Sequence, residues 1–187
     1  MKKLAALFIA IMTFMLTFTS CSEDDLNIPE GMQRVENEKT AYSLFVPDDW
    51  TVDVNEESGV SAAYASDKSN ISLAIFDWDG TATSVQQYCD YYFTTVTTTF
   101  KEVSDREMYS DNQYLGTIGE KGEPVLKYVY TIVSDNATTP DVVETYKLMQ
   151  IFAYHGGNMY IFTYTARTEL YDSHLEEVAD IINEFIA

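Results

Sequence analysis

"ISLAIFDWDGTATS", Ile71 to Ser84, is the stretch on which the fold turns. An apolar run from Ile71 to Phe76 ends abruptly in Asp77, Trp78, Asp79, Gly80 and Thr81, and a helix signal follows. A strand that ends in paired carboxylates can present them for acid–base or nucleophilic chemistry. The same residues also make a plain turn that ends an antiparallel strand and leads into a helix cap. The neighbouring segments decide between the two.

Upstream, "YSLFV" places Tyr42, Leu44 and Val46 on one face, "PDD" turns the chain, and "WTVDV" alternates again from Trp50. "GVSAAYAS" and "NISLAIF" flank the turn "DKSN". This is period-two hairpin chemistry. After Ser84 the period changes, with Val85, Tyr88, Cys89, Tyr92, Val96 and Phe100 at helical intervals and Ser84 with Gln87 as a capping box. The threonines from Thr94 to Thr99 weaken that helix and leave it open to fraying after Val96.

Alternation then returns in "EVSDREMYS", "NQYLGTIG", "PVLKYVYTIVS", "VETYKLMQIFAYH" and "NMYIFTYTA", with "SDNATTPD" and "GGN" as turns. The chain closes on an amphipathic helix carrying Tyr171, Leu175, Val178, Ile181, Ile182 and Phe185 on one face. Ser173 with Glu176 is a candidate cap for it. The order predicts an α+β domain over residues 32–187: one large, largely antiparallel sheet with helices laid over its faces.

The run Asp77 to Thr81 resembles the first motif of the haloacid dehalogenase-like phosphatases. That resemblance implies a parallel sheet with the motif on its first strand. Here hairpin strands precede Asp77, a meander follows the helix, and Ala82 stands where a large aliphatic is usual. Ser134 and Lys147 are the available candidates for the remaining groups, and "SDN" reads better as a turn. The expectation is therefore a turn and no catalytic residues, with a metal-dependent hydrolase using Asp77 and Asp79 as the alternative. A further alternative is a Ca²⁺-binding module in which the turns bearing Asp48, Asp49, Asp77 and Asp79 meet. No cofactor is expected. His155 reads as a turn residue, His174 as a surface residue and Cys89 as core, with Trp50 under the first hairpin. Most tyrosines read as sheet packing, and a minority could form an exposed aromatic binding face.

The first residues speak of location. Lys2 and Lys3 precede an apolar run from Leu4 to Phe18, too short for a confident membrane span, which ends in Thr19, Ser20 and Cys21. This resembles a bacterial lipobox, with Phe18 where leucine is usual. It implies a signal peptide over residues 1–20, lipidation of Cys21 and stable anchoring by two or more acyl chains. Residues 21–31 form an acidic tether of at most ~35 Å. Cys89 is then the sole remaining cysteine and no disulfide can form within the chain. The chain carries 11 basic and 30 acidic residues, a net charge of −19. Loss of Lys2 and Lys3 leaves nine basic against 30 acidic, about −21. Such a charge argues against nucleic acid and against a lipid surface beyond the anchor.

"YSLFVPDDWTV" resembles the PsbP-like family, which includes an extrinsic photosystem II subunit and bacterial relatives such as DcrB-like lipoproteins. "NISLAI" before a helix, the central meander, and "NMYIFTYTA" before a last helix ending "IINEFI" continue it over residues 32–187. The resemblance implies an α-β-α sandwich and carries over no catalytic residue. The expected function is a lipid-anchored, non-enzymatic cell-envelope protein. It would be a monomer on the extracytoplasmic side of a membrane, acting as a binding or accessory module for another protein or a small ligand.

Overall fold

The computed structural model describes residues 27–35, 42–55, 60–78, 80, 82–109, 113–135 and 143–187. The signal segment, Cys21, most of the tether and Asp79 lie outside the described residues. The first two strands, β1 (Met32–Val35) and β2 (Leu44–Pro47), pair only with each other, as an antiparallel ribbon. Three strands form a meander: β3 (Thr51–Asn55), β4 (Val60–Tyr64) and β5 (Asn70–Asp77). Helix α1 (Val85–Thr99) then carries the chain to the far edge, where β6 (Glu102–Tyr109), β7 (Val125–Asp135), β8 (Val143–His155) and β9 (Asn158–Arg167) run back. A 3-10 turn (Tyr171–His174) leads into α2 (Leu175–Asn183). β9 closes on β5, giving seven strands in the order β3-β4-β5-β9-β8-β7-β6, each pair antiparallel.

Both faces of the sheet are apolar at its centre, because β8 and β9 send large side chains to alternate sides. Met159 and Ile161 point to one face, Tyr160, Phe162 and Tyr164 to the other. On the first face α1 lays Val85, Cys89, Phe93 and Val96 against Tyr128, Tyr130, Phe152 and Ile161. On the second, Val178, Ile181 and Ile182 of α2 share the cover with Val35, Leu44 and Val46 of the ribbon, over Ile71, Leu73, Ile151 and Phe162. Each such fully buried side chain is worth about 1.5–3 kcal/mol. The buried amide of Gln150 binds α1 to the sheet: it accepts from Tyr130 Oη at 2.7 Å and donates to Tyr92 Oη at 2.9 Å and Thr163 Oγ1 at 3.0 Å.

Helix α1 begins where its cap residues place it. Ser84 Oγ accepts from the Gln87 N–H at 3.1 Å, and Gln87 Oε1 accepts from Thr83 N at 2.6 Å, one residue before the cap. The helix does not fray at Val96. The hydroxyls of Thr97, Thr98 and Thr99 donate to carbonyls one turn back, which satisfies them inside the helix. Its buried stripe includes Phe93, while Tyr92, expected on that stripe, is half-buried.

Three expectations are corrected. "PDD" does not join a hairpin: β2 belongs to the ribbon and β3 to the large sheet. The side chain of Gln33 on β1 fixes that turn, donating to the carbonyls of Pro47, Asp48 and Trp50 at 2.8–3.2 Å. In "NQYLGTIG" the described residues 113–119 are not a strand but a folded loop that buries Leu115 and Ile118. Gly116, at φ +57°, donates its N–H to the Ile182 carbonyl near the end of α2, and a Cβ there would sit 1.8 Å from the Phe185 carbonyl oxygen. Ser173 does not cap α2, whose N-cap is His174 without a side-chain bond.

Candidate binding surface

The register separates the carboxylates expected to meet. Asp48 and Asp49 precede Thr51, which lies level with Tyr64 and, through it, with Asn70 at the start of β5. Asp77 is the last residue of β5, opposite Asn158, some seven residues or ~23 Å further along. Among the described residues, therefore, Asp77 stands at the opposite end of the sheet from Asp48 and Asp49 and does not join them in a Ca²⁺ site. Among the described residues no three His, Cys, Asp or Glu side chains gather as metal ligands do. β5 has antiparallel neighbours on both sides, so Asp77 stands in an exposed strand end and not in the parallel sheet of the phosphatase family.

The histidines differ from each other. His155 ends β8 before the Gly156–Gly157 turn, as expected, with its Nδ1 3.5 Å from Glu123 Oε1. His174 is not a surface residue. Its side chain is 17 % exposed, with Nε2 2.9 Å from Asp67 Oδ2 on the β4–β5 turn and Nδ1 2.5 Å from Glu177 Oε2 on α2. Trp50 meets the ring edge-on at 5.7 Å between centroids. Partial burial disfavours the charged imidazole, but the two carboxylates outweigh it and raise the His174 pKa above its ordinary value. Partial burial likewise pushes Asp67 up, but hydrogen bonds from His174 and the Ser69 N–H hold it below the usual carboxylate value. Each ring nitrogen faces a different carboxylate, so the group is a clamp between a turn and a helix. Cys89 is fully buried, and burial raises its thiol to about 12, which leaves it inert.

Aromatic side chains gather where β5 meets α1: Phe76, Trp78, Tyr88 and Tyr154, with centroids 5.4–5.8 Å apart for Phe76–Tyr88 and Trp78–Tyr154. These rings pack on one another and on Phe152, and so mostly close their own surface.

The face of β6, β7 and β8 on the α2 side is different. Residues facing this way include Glu107 and Tyr109 of β6, Lys127, Val129, Thr131 and Val133 of β7, and Thr145, Lys147 and Met149 of β8. Val129, Thr131 and Val133 are half-buried, while Tyr109 is 39 % exposed. A cleft of about 340 Å³ opens beside them, between α2, the sheet and the 113–114 segment, with Tyr114, Lys127, Met149, Ile151, Leu175 and Ile182 in its walls. Leu175 and Tyr114 expose 36 % and 46 % of their surface at its rim. Lys127 Nζ stands over the Tyr109 ring at 5.2 Å, and Lys147 Nζ over Tyr171 at 4.5 Å. The tyrosines of "YVYTIV" pack into the sheet as expected, since Tyr128 and Tyr130 are buried on the α1 face; Val129, Thr131 and Val133 between them carry no expectation from the sequence.

No protein-family model matches the chain, and no curated protein matches it in sequence. Solved structures share its architecture. Cyanobacterial PsbP (CyanoP) from Synechocystis sp. PCC 6803 superposes with a TM-score of 0.57 at 16 % identity, over 91 % of this chain and 99 % of that one. PA94 from Pseudomonas aeruginosa, a protein of unknown function described as a putative regulator, gives 0.52 at 12 %, over 81 % and 94 %. The Saccharomyces cerevisiae Ran-binding protein Mog1p gives 0.50 at 10 %, over 82 % and 94 %. At these identities the likeness concerns the fold, and the chain has a PsbP-like α+β fold: a large antiparallel sheet with two helices.

Proposed function

We propose that this chain is a lipid-anchored, non-enzymatic binding or accessory module of the cell envelope, held to its membrane through Cys21 and engaging another protein. The observation that carries the binding role is the half-buried apolar strip on β7 with its adjoining cleft, presented by the most extensively paired part of the sheet. A rigid scaffold that leaves apolar surface open beside a cleft is what recognition of a partner requires. The α-β-α sandwich is our reading of the layers, supported by the apolar clusters on opposite faces. The membrane role rests on the sequence from Lys2 to Cys21 and on the likeness of that segment to lipoprotein signals.

Two measurements test it. Metabolic labelling with a clickable palmitate analogue should mark the wild type and not Cys21→Ala, and the variant should leave the membrane fraction or remain unprocessed. Crosslinking in intact envelopes should then yield a defined protein adduct. A Cys21→Ala protein that is processed and stays membrane-bound like wild type overturns the anchor.

A further inference from the structure

We propose that the open strip of β6, β7 and β8 beside α2 receives an amphipathic helix of a partner protein, with carboxylates that meet Lys127 and Lys147. This deepens the reading of the chain as a protein-binding module and rests on it.

Width comes first. α2 and its neighbours already bury Met149 and Ile151 of β8, so the open strands are β7 and β6; a helix packed beside α2 at an interaxial distance of ~8–10 Å would lie two strand spacings of ~4.8 Å further out, over them. The strip is therefore one helix wide, and α2 already forms the wall along one side with Leu175 at its rim. Apolar content comes next. Val129 and Val133 supply the floor, and the cleft against Met149, Ile151 and Ile182 offers a slot for one large anchoring side chain.

Charge then selects the occupant. In a chain with 30 acidic residues, the strip presents two lysines on its inner strands and Glu102 and Glu107 on its outer one. Lys127 lies opposite Ile151 and Lys147 opposite Thr131, four residues apart along β7. That is ~13 Å, or ~9 residues of a helix running along the strand. The expected helix has two carboxylates at about that separation, one above Lys127, whose Nζ leans toward Tyr109 of β6, and one on its flank toward β8 above Lys147. A second copy of the chain is a poor occupant. Both described helices already bury their apolar stripes in their own cores.

The test is site-specific photocrosslinking of the full chain in its native envelope, with benzoylphenylalanine placed at Val129, at Ser72 on the other face, or at Phe76. The expected result is a protein adduct from position 129 with position 72 silent. The crosslinked peptide should have apolar residues at helical spacing and the paired carboxylates. The double substitution Lys127→Glu with Lys147→Glu should cut that adduct about tenfold, while the purified variant, short of two cation–π contacts, still melts cooperatively within a few degrees of wild type. Adducts from Phe76 alone would leave a binding module but overturn this surface. Adducts from none of the three positions would overturn both readings. An adduct at 129 to lipid, to a second copy of this chain or to an extended segment overturns the helix.

Discussion

Each face of the sheet leaves one half without a helix, and the two open halves are built from different residues. On the α1 side the open half is made by β3, β4, β5 and β9. Its cross-strand rows read Thr51, Tyr64, Asn70, Thr165 and then Asp53, Ala62, Ser72, Thr163. These are small or polar side chains that water solvates without loss, as on the wet face of many antiparallel sheets. On the α2 side the open half is made by β6, β7 and the start of β8 and carries Val129, Val133, Tyr109 and two lysines, with Met149 buried at its edge. The same sheet and the same pairing thus give one face that is finished when the chain folds and another that still holds apolar area against water. Exposure alone does not distinguish a binding surface; the chemistry of the cross-strand rows does.

Substitutions in the covered halves should be far costlier to folding than any in the open ones. Phe93→Ala removes the ring that packs on Tyr128 and Tyr130 at 4.7 and 5.2 Å. It should cost about 3–5 kcal/mol in urea unfolding; a loss under about 1 kcal/mol would mean that α1 does not cover this face. Gly116→Ala should cost about 1–3 kcal/mol from its left-handed backbone alone. Because the new Cβ meets the Phe185 carbonyl, the loop must move, and hydrogen exchange should rise at the end of α2.

A middle-sized effect belongs to the clamp that fixes the start of α2. His174→Ala should lower stability by about 1 kcal/mol, with a definite pH dependence. The raised His174 pKa makes its contribution fully present below the unfolded histidine value, ~6.5, and lost as pH rises through the folded value. The lowered Asp67 pKa makes that group's share present above the unfolded carboxylate value, ~3.9, and lost as pH falls through its folded value. Wild type and variant should therefore differ most between the two, and the difference should shrink at alkaline pH to what the neutral ring contributes against Trp50. Equal differences at pH 6 and pH 9 would deny the clamp its charge.

The smallest expected effects sharpen the comparison most. Val129→Thr and Ser72→Val, one in each open half, should each change stability by no more than about 0.5 kcal/mol. Ser72→Val should leave partner crosslinking intact, whereas Val129→Thr should weaken it. A large folding cost at Val129 would make the strip ordinary core.

Local pattern made much of this legible. The stripes of α1 and α2 and the alternation of β8 and β9 are properties of neighbouring residues, and they give the sheet, the helices and the buried Cys89. Two things were not local. His174 looked like a surface residue because Asp67 stands 107 positions away, and nothing in "YDSHLEE" announces it. The open strip could not be found in "YVYTIV" because which face a helix covers depends on strand order. That order follows from the long crossover through α1 and the return of β9. The ribbon escaped notice for a similar reason: β1 has four residues and finds its partner only across a connection.

The closure of β9 on β5 also sets a timetable. Asn70 and Thr165 are paired although they are about 95 positions apart in the chain, so the middle of the sheet cannot zip until nearly the whole polypeptide is present. Contacts of such long sequence separation slow folding, because the loop they close must be ordered first. The β3–β4–β5 meander waits with β5 as a bare edge until the last sixth of the chain, from Asn158 on, is available. A chain ending at Gly157 should accordingly remain unfolded and prone to edge-to-edge association, whatever its N-terminal sequence.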